Sequence, residues 1–458
     1  MKIALVVVVV LILAPLITLV LLSSPTRLQV EPAVKVIGND TPVHVKMESP
    51  HGVRSLTVTI DQDGKQYSSM PFQAPVRRWF FERHVAPRDL IVNVGKQQDP
   101  SLHDGKARLT VTAVSNDFRG ASASQVFDVD VMTGPPHVVA DGVQHYINQG
   151  GSEMAVFTPS GAWTEAGVKV GDYAFRSFPL PDHPGQYFSL FAFSWQLPVS
   201  TPVYVYASNP SGALAKATFW YKVFPKQFRK STIPLESMHM DRIVEQIDPN
   251  HKIPGDSLQR FIYINSEMRK VNNKTLADLR FKTEPRFLWT GAFLPMVDST
   301  VESRFADDRT YTWKGKKVDE QVHLGFDLAK LAHSPIPASN DGKVIWAQDL
   351  GIYGNCVVID HGFGLQTVYG HMSQFLVKEG DLVKKGQVIG KTGSTGLAGG
   401  DHLHFTMQVD GVQVNAVEWW DPHWVKDRIL SKMGEGASID TEEARSTPAA
   451  HRRPRRRR

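Results

Sequence analysis

Between residues 323 and 404 the chain gathers the residue types that metal chemistry uses. The stretch opens with His323-Leu-Gly-Phe-Asp327, passes Tyr369-Gly-His371-Met and closes with His402-Leu-His404-Phe. Catalytic zinc sites use three protein ligands, mostly His with Asp or Glu, and leave a fourth position to water. Four histidines and one carboxylate at short spacings supply such a set with two groups to spare. The chain has 17 histidines, so a lone His-x-His carries little weight. An H-x-x-x-D, a Gly-His and an H-x-H together in a Gly-rich β context carry much more.

The elements that must position these groups follow from periodicity. Residues two apart in a strand point to one face. The alternation Phe405, Met407, Val409 predicts a strand over 401–409, which turns His402 and His404 the same way. His323 and Asp327, four apart, share a face in a strand and also in a helix. Gly325 between them leaves room for an ion or a substrate backbone.

The region 283–425 resembles the lysostaphin/LytM-type zinc endopeptidases, which cut peptide bonds in peptidoglycan. The resemblance is carried by Ser303-Arg-Phe, His323-Leu-Gly-Phe-Asp327, Asp341-Gly-Lys-Val, Tyr353-Gly-Asn355, Val357-Val-Ile-Asp-His-Gly362 and Tyr369-Gly-His371-Met. It continues through Gly380-Asp-Leu-Val-Lys-Lys-Gly-Gln-Val-Ile-Gly390, Gly393-Ser-Thr-Gly396 and Gly400-Asp-His402-Leu-His404-Phe. Leu331, His333 and Asn415-Ala416 depart from the family pattern. The resemblance implies that His323, Asp327 and His404 hold one Zn²⁺, and that His371 and His402 are the unligated catalytic histidines. A zinc held by two neutral imidazoles and one carboxylate lowers the pKa of its water toward about 7. His371 or His402 then takes a proton from the attacking water and passes one to the leaving amine. Tyr311 is a further candidate, for a hydrogen bond to the oxyanion. The expected function is a zinc-dependent endopeptidase acting on peptidoglycan cross-links or stem peptides. The alternative is a catalytically silent relative that activates or scaffolds another wall hydrolase. Such relatives typically lose ligands, and all five key residues are present.

At 458 residues the chain is too long for one ordinary core. Its 42% hydrophobic and 21% charged residues are those of a folded protein, and 35 Gly with 29 Pro favour turns and β structure. The single cysteine, Cys356, excludes an internal disulfide and sits in a strand-like apolar run. The expected fold is mostly β, in six parts. Residues 1–27 form a membrane anchor or signal segment, because 3–22 are apolar and uncharged and about 20 helical residues span a bilayer core. Residues 28–134 form an Ig-like β-sandwich, from the alternating runs Val43/Val45/Met47, Leu56/Val58/Ile60, Leu109/Val111/Ala113 and Phe127/Val129/Val131. After Gly134-Pro135-Pro136, residues 135–230 form a second β-rich region, whose many aromatics read as core.

Residues 231–282 form a helical connector, capped at Asp256 or Ser257 and packing through Leu258, Phe261, Ile262 and Met268. Residues 283–432 form the LytM-type β-barrel-like catalytic domain, and 433–458 a disordered Arg-rich tail. Six arginines lie in residues 452–458, so the net charge of +5 belongs to the tail and the remainder is close to neutral. The expected partners are peptidoglycan peptides, the membrane through the N-terminal helix, and anionic polymer or lipid headgroups through the tail. No nucleic-acid contact is expected. The expected location is the bacterial inner membrane, single-pass, with the catalytic domain in the periplasm.

Overall fold

The structure is a computed structural model that describes residues 11, 13–21, 23–76 and 85–433. Among the described residues no helix is long and apolar enough to cross a membrane. Among the described residues near the start, 11 and 13–21 are helical. The rest of the expected anchor lies outside the described residues. The N-terminal membrane helix, the membrane contact through it and the single-pass inner-membrane placement are corrected on this finding. The Arg-rich tail also lies outside the described residues.

The chain forms two compact units. The first takes in the chain up to His137, with Ser160–Glu165 and Ala207–Ala215; the second comprises Val138–Pro159, Ala166–Tyr206 and Lys216 onward. In the first, a five-stranded sheet (Val36–Ile37, Ser122–Val131, Gly105–Ser115, Val53–Gln62, Lys65–Gln73) and a three-stranded sheet (Arg27–Val30, Thr41–Glu48, Arg88–Val94) share one core. The alternating residues build it: Val43, Val45, Met47, Leu56, Val58, Ile60, Leu109, Val111 and Ala113 are all buried. Period-two alternation places each set on one sheet face, and burying those faces is what holds the sheets together.

The second unit is organised on an eight-stranded sheet. Its order is Thr300–Ser303, Phe326–Ala329, Leu403–Val409, Leu365–Gly370, Asn355–Asp360, Gly342–Asp349 and Leu382–Val383, with Val412–Val414 hairpinned onto Leu403–Val409. The two outer strands do not pair with each other, so the sheet is open and the expected β-barrel-like closure is corrected. Its central strands, Asn355–Asp360, Leu365–Gly370 and Leu403–Val409, are buried on both faces almost throughout. One face is covered by helices Ser257–Tyr263 and Arg269–Asp278, whose Phe261 and Leu276, with Ile264 between them, share a core with Ile352, Val358 and Val368. Asp256 caps the first helix: its side chain accepts from Gln259 N–H while Gln259 reaches back to the Asp256 N–H.

The segment before these helices is built into the same unit. Strand Lys230–Pro234 pairs in parallel with Asp307–Trp313, which pairs in turn with Lys316–His323. The aromatic-rich segments 138–159 and 166–206 pack there too. Arg176 donates through Nε to Asp410 Oδ1 at 2.8 Å, and Phe363 meets Phe178 at a tilt and Phe188 edge-on, each with centroids 5.0 Å apart. Lys432 Nζ reaches the buried Glu153 at 2.8 Å. The aromatics Phe175, Phe188, Phe191 and Phe193 are fully buried, as core residues are.

Candidate metal centre

His323 is the last residue of strand Lys316–His323, and Asp327 lies in the next strand, Phe326–Ala329. The two belong to different sheets, so the chain bends between them, in place of one continuous face. Gly325 sits at the bend. A Cβ there would meet Thr406 Oγ1 at 2.5 Å, Phe405 O at 2.6 Å and His404 Cε1 at 2.7 Å. The space the glycine leaves is therefore taken by strand Leu403–Val409, which brings His404 level with Asp327 in the ladder. His402 precedes that strand, held by a bridge to Gly393. His371 follows strand Leu365–Gly370 in a left-handed conformation, φ 62°, with its N–H on Tyr353 O at 2.8 Å. Few non-glycine residues adopt that backbone, and those that do cluster at functional sites.

Three ligand-type atoms converge. His323 Nε2 lies 2.9 Å from Asp327 Oδ1 and 3.0 Å from His404 Nδ1, and His404 Nδ1 lies 3.2 Å from Asp327 Oδ1. The outer nitrogens fix the tautomers. His323 Nδ1–H donates to Arg304 O at 3.2 Å. The Thr406 hydroxyl donates to Leu324 O at 3.0 Å, so its oxygen accepts from His404 Nε2–H at 2.9 Å. Two imidazole lone pairs and a carboxylate oxygen then face one point. That arrangement is repulsive without a cation at the point. Zinc at about 2.0–2.1 Å from each atom sets tetrahedral ligand atoms roughly 3.3 Å apart, close to the observed triangle. The residues fit the ion. Among the described residues, His323, Asp327 and His404 are the group of three or more His, Cys, Asp or Glu that could hold a metal.

The electrostatics agree with the protonation states that ligands need. Burial lowers the pKa of His323, and lowers His404 to about 4. Burial alone would raise Asp327, but its imidazole neighbours, His323 first and then His402 and His404, outweigh burial and hold its carboxyl well below the usual range. His371 and His402 stand beside the triangle with ring centroids 4.8 Å apart. Both donate from Nδ1, His371 to Thr395 O at 2.8 Å and His402 to Gly400 O at 2.9 Å, which leaves Nε2 as the remaining ring nitrogen of each. His402 Nε2 is 3.4 Å from Asp327 Oδ1.

All five residues line one cleft of about 380 Å³, with Arg269, Glu302, Arg309 and Tyr353. Tyr311 does not reach it: the ring is buried against Phe261, centroids 5.9 Å apart. Tyr353 is the cleft tyrosine, its hydroxyl donating to Asn273 Oδ1 at 2.8 Å. Arg309, Thr406 and Arg304 are the functional neighbours that sequence reasoning missed. Arg309 and Thr406 carried a signal, since each lies two residues from a residue facing the same way in a strand: Asp307 and Tyr311 flank the first, and His404 precedes the second. Two further residues are structural. His361, its pKa pushed down to about 4 by burial, bridges Asp341 O at 2.7 Å and Thr367 Oγ1 at 2.8 Å. Cys356 is buried, which pushes its thiol pKa up.

An open β-sheet presenting a buried His/Asp/His cluster, with two further histidines beside it, is a candidate metal centre. The C-terminal region matches the M23/LytM peptidase family: residues 321–416 fit Peptidase family M23. The DD-carboxypeptidase/endopeptidase Mpg of Neisseria meningitidis serogroup B is 37% identical over 126 residues, 27% of this chain and 27% of that protein. The peptidoglycan DD-endopeptidase ShyA of Vibrio cholerae serotype O1 is 43% identical over 96 residues, 21% of this chain and 22% of that protein. The chain thus matches about a quarter of the length of these curated relatives. Among solved structures, a mutant catalytic domain of the prophage-encoded M23 protein EnpA from Enterococcus faecalis shares 32% identity, with 28% of this chain and 95% of that chain covered and a TM-score of 0.24.

Proposed function

We propose that the C-terminal region is a zinc-dependent endopeptidase that hydrolyses peptide bonds in peptidoglycan. The observation that carries this reading is the convergence of His323 Nε2, His404 Nδ1 and Asp327 Oδ1, with His371 and His402 on the same cleft. His323, Asp327 and His404 hold the zinc. When bound, the ion polarises the scissile carbonyl and lowers the pKa of water to about 7. His371 and His402 carry the protons. Each keeps Nδ1–H on a carbonyl, so Nε2 is the atom that accepts the proton of the attacking water or returns one to the leaving amine. The matched relatives named for DD-endopeptidase activity support the wall-peptide substrate and point to D,D cross-links. A silent scaffold would have no use for two tautomer-locked histidines beside a complete ligand set.

The test is digestion of purified peptidoglycan by the full chain with zinc, with chelator, and as His402→Ala, followed by mass analysis of released peptides. Zinc-dependent release of peptides with new amino termini is expected. His402→Ala should lower the rate about 10²-fold or more while keeping its bound zinc. Release that survives chelation, or no release by the zinc-loaded protein, would overturn the proposal. Loss of zinc in His402→Ala would overturn the division of roles.

A further inference from the structure

The helix running over the sheet is interrupted by a π-helical turn, Ile264–Met268, immediately before Arg269–Asp278. Such turns widen the backbone by one residue and are frequent at functional sites. Here the turn carries Asn265, fully buried, whose Nδ2 donates to Asp319 Oδ2 at 2.7 Å. Asn265 in turn holds Arg269: Arg269 Nε donates to Asn265 O at 2.9 Å and Nη2 to Asn265 Oδ1 at 2.6 Å. The guanidinium is thereby fixed along one edge, and its Nη1 edge is left over. Arg269 lines the same cleft as the five site residues. Among the described residues no carboxylate bonds to it, whereas Arg309, the other arginine on the cleft, is spent on Asp327 at 2.7 Å.

A pre-positioned arginine fork without a carboxylate partner, in a cleft, is a carboxylate receptor. We infer that Arg269 binds a carboxylate of the peptide substrate and sets specificity for it, an inference that rests on the peptidase reading above. Glu302 and Asp327 on the same cleft disfavour a polyanion, so one planar carboxylate suits the site better than a phosphate polymer. The peptides of peptidoglycan carry such groups, on the γ-linked glutamate and at the C-terminus. The helical segment upstream of the catalytic sheet then contributes directly to substrate choice.

Binding decides the inference without turnover. The full chain, stripped of metal, is titrated into two fluorescently labelled peptides, L-Ala–γ-D-Glu–L-Lys–D-Ala–D-Ala with free carboxylates and the same peptide with both carboxylates as primary amides. The native protein is expected to bind the carboxylate form about tenfold or more tightly. Arg269→Gln should bind both forms alike, and Arg269→Lys, which keeps the charge but not the fork, should fall between. Zinc stoichiometry and thermal melting of each variant establish that the fold and the metal centre are intact. No preference in the native protein, or an undiminished preference in Arg269→Gln, would overturn the inference. Failure of the peptidase reading shows separately, as zinc-loaded native protein that does not cleave peptidoglycan.

Discussion

Arg309 Nη2 sits 2.7 Å from Asp327 Oδ2, which leaves only Oδ1 of that carboxylate turned toward His323 and His404. The arginine is steered from behind. Its Nε lies 3.8 Å from the fully buried Asp307, and Asp307 is held by Arg229 through Nη2 at 2.8 Å and Nε at 3.1 Å. Arg229, which precedes strand Lys230–Pro234 and lies far upstream in sequence, thus closes a chain of charges that ends on a proposed metal ligand.

This chain predicts how the metal-free and zinc-loaded proteins differ. Removing one partner of a buried ion pair leaves an uncompensated charge and costs about 3 kcal/mol. Arg309→Met should therefore destabilise the metal-free protein by roughly that amount. With zinc bound, the ion's own charge compensates Asp327, so the loss should be smaller. Thermal melts with and without zinc measure both. The zinc-induced rise in Tm should be larger in Arg309→Met than in the native protein; an equal or smaller rise would contradict the compensation argument.

Thr406 tests the tautomer argument with no change of charge. Its oxygen is the acceptor for His404 Nε2–H, which keeps the Nδ1 lone pair facing the metal position. Thr406→Val removes that acceptor in a buried site, while Thr406→Ser keeps it. Partners of this kind are worth about 10–100-fold in metal affinity. Competition against a chromophoric chelator should show that loss for the valine variant and near-native affinity for serine. Valine with native affinity would mean that packing alone orients the ring.

The five candidate residues could be named from short-range patterns, and their roles from the family resemblance. H-x-H on a strand, H-x-x-x-D and a Gly-His turn are local patterns. The alternation that buries Val43, Val45 and Met47 is equally local. What the sequence hid is long-range. Nothing in residues 230–234 announces that they pair with 308–312, and a charge such as Arg309 or Arg269 reads as solvated surface until the fold supplies its neighbours. Tyr311 misled for the same reason: its place on a strand near the site was readable, but the face was not, and Phe261 covers it. The apolar run 3–22 was read on hydropathy alone, and among the described residues no helix is long and apolar enough to cross a membrane. Barrel closure likewise depends on whether Thr300–Ser303 meets Leu382–Val383, and no local pattern encodes that.

Glu418 gives a pH dependence with a definite sign. It lies in helix Val417–Trp420, buried, and accepts from Asn148 Nδ2 and from Ser152 N–H, both at 2.8 Å. Burial outweighs those hydrogen bonds and raises its pKa from 4.5 to about 7. Below the unfolded value of 4.5 both states are protonated and the group costs nothing. As pH rises toward 7 the unfolded chain releases its proton while the folded protein holds it, so stability falls through that window and the loss is complete above it. The shift corresponds to roughly 3 kcal/mol. Urea unfolding at about pH 5 and pH 8 should show the native protein losing roughly 2–3 kcal/mol more than Glu418→Gln over that range. The glutamine keeps an acceptor for one of the two donors but cannot ionise, so its curve lacks this slope. Parallel curves for the two proteins would mean that Glu418 stays ionised in the fold, with its two donors outweighing burial, and that the join between the strand at Ser152 and the end of the catalytic domain does not weaken with alkaline pH.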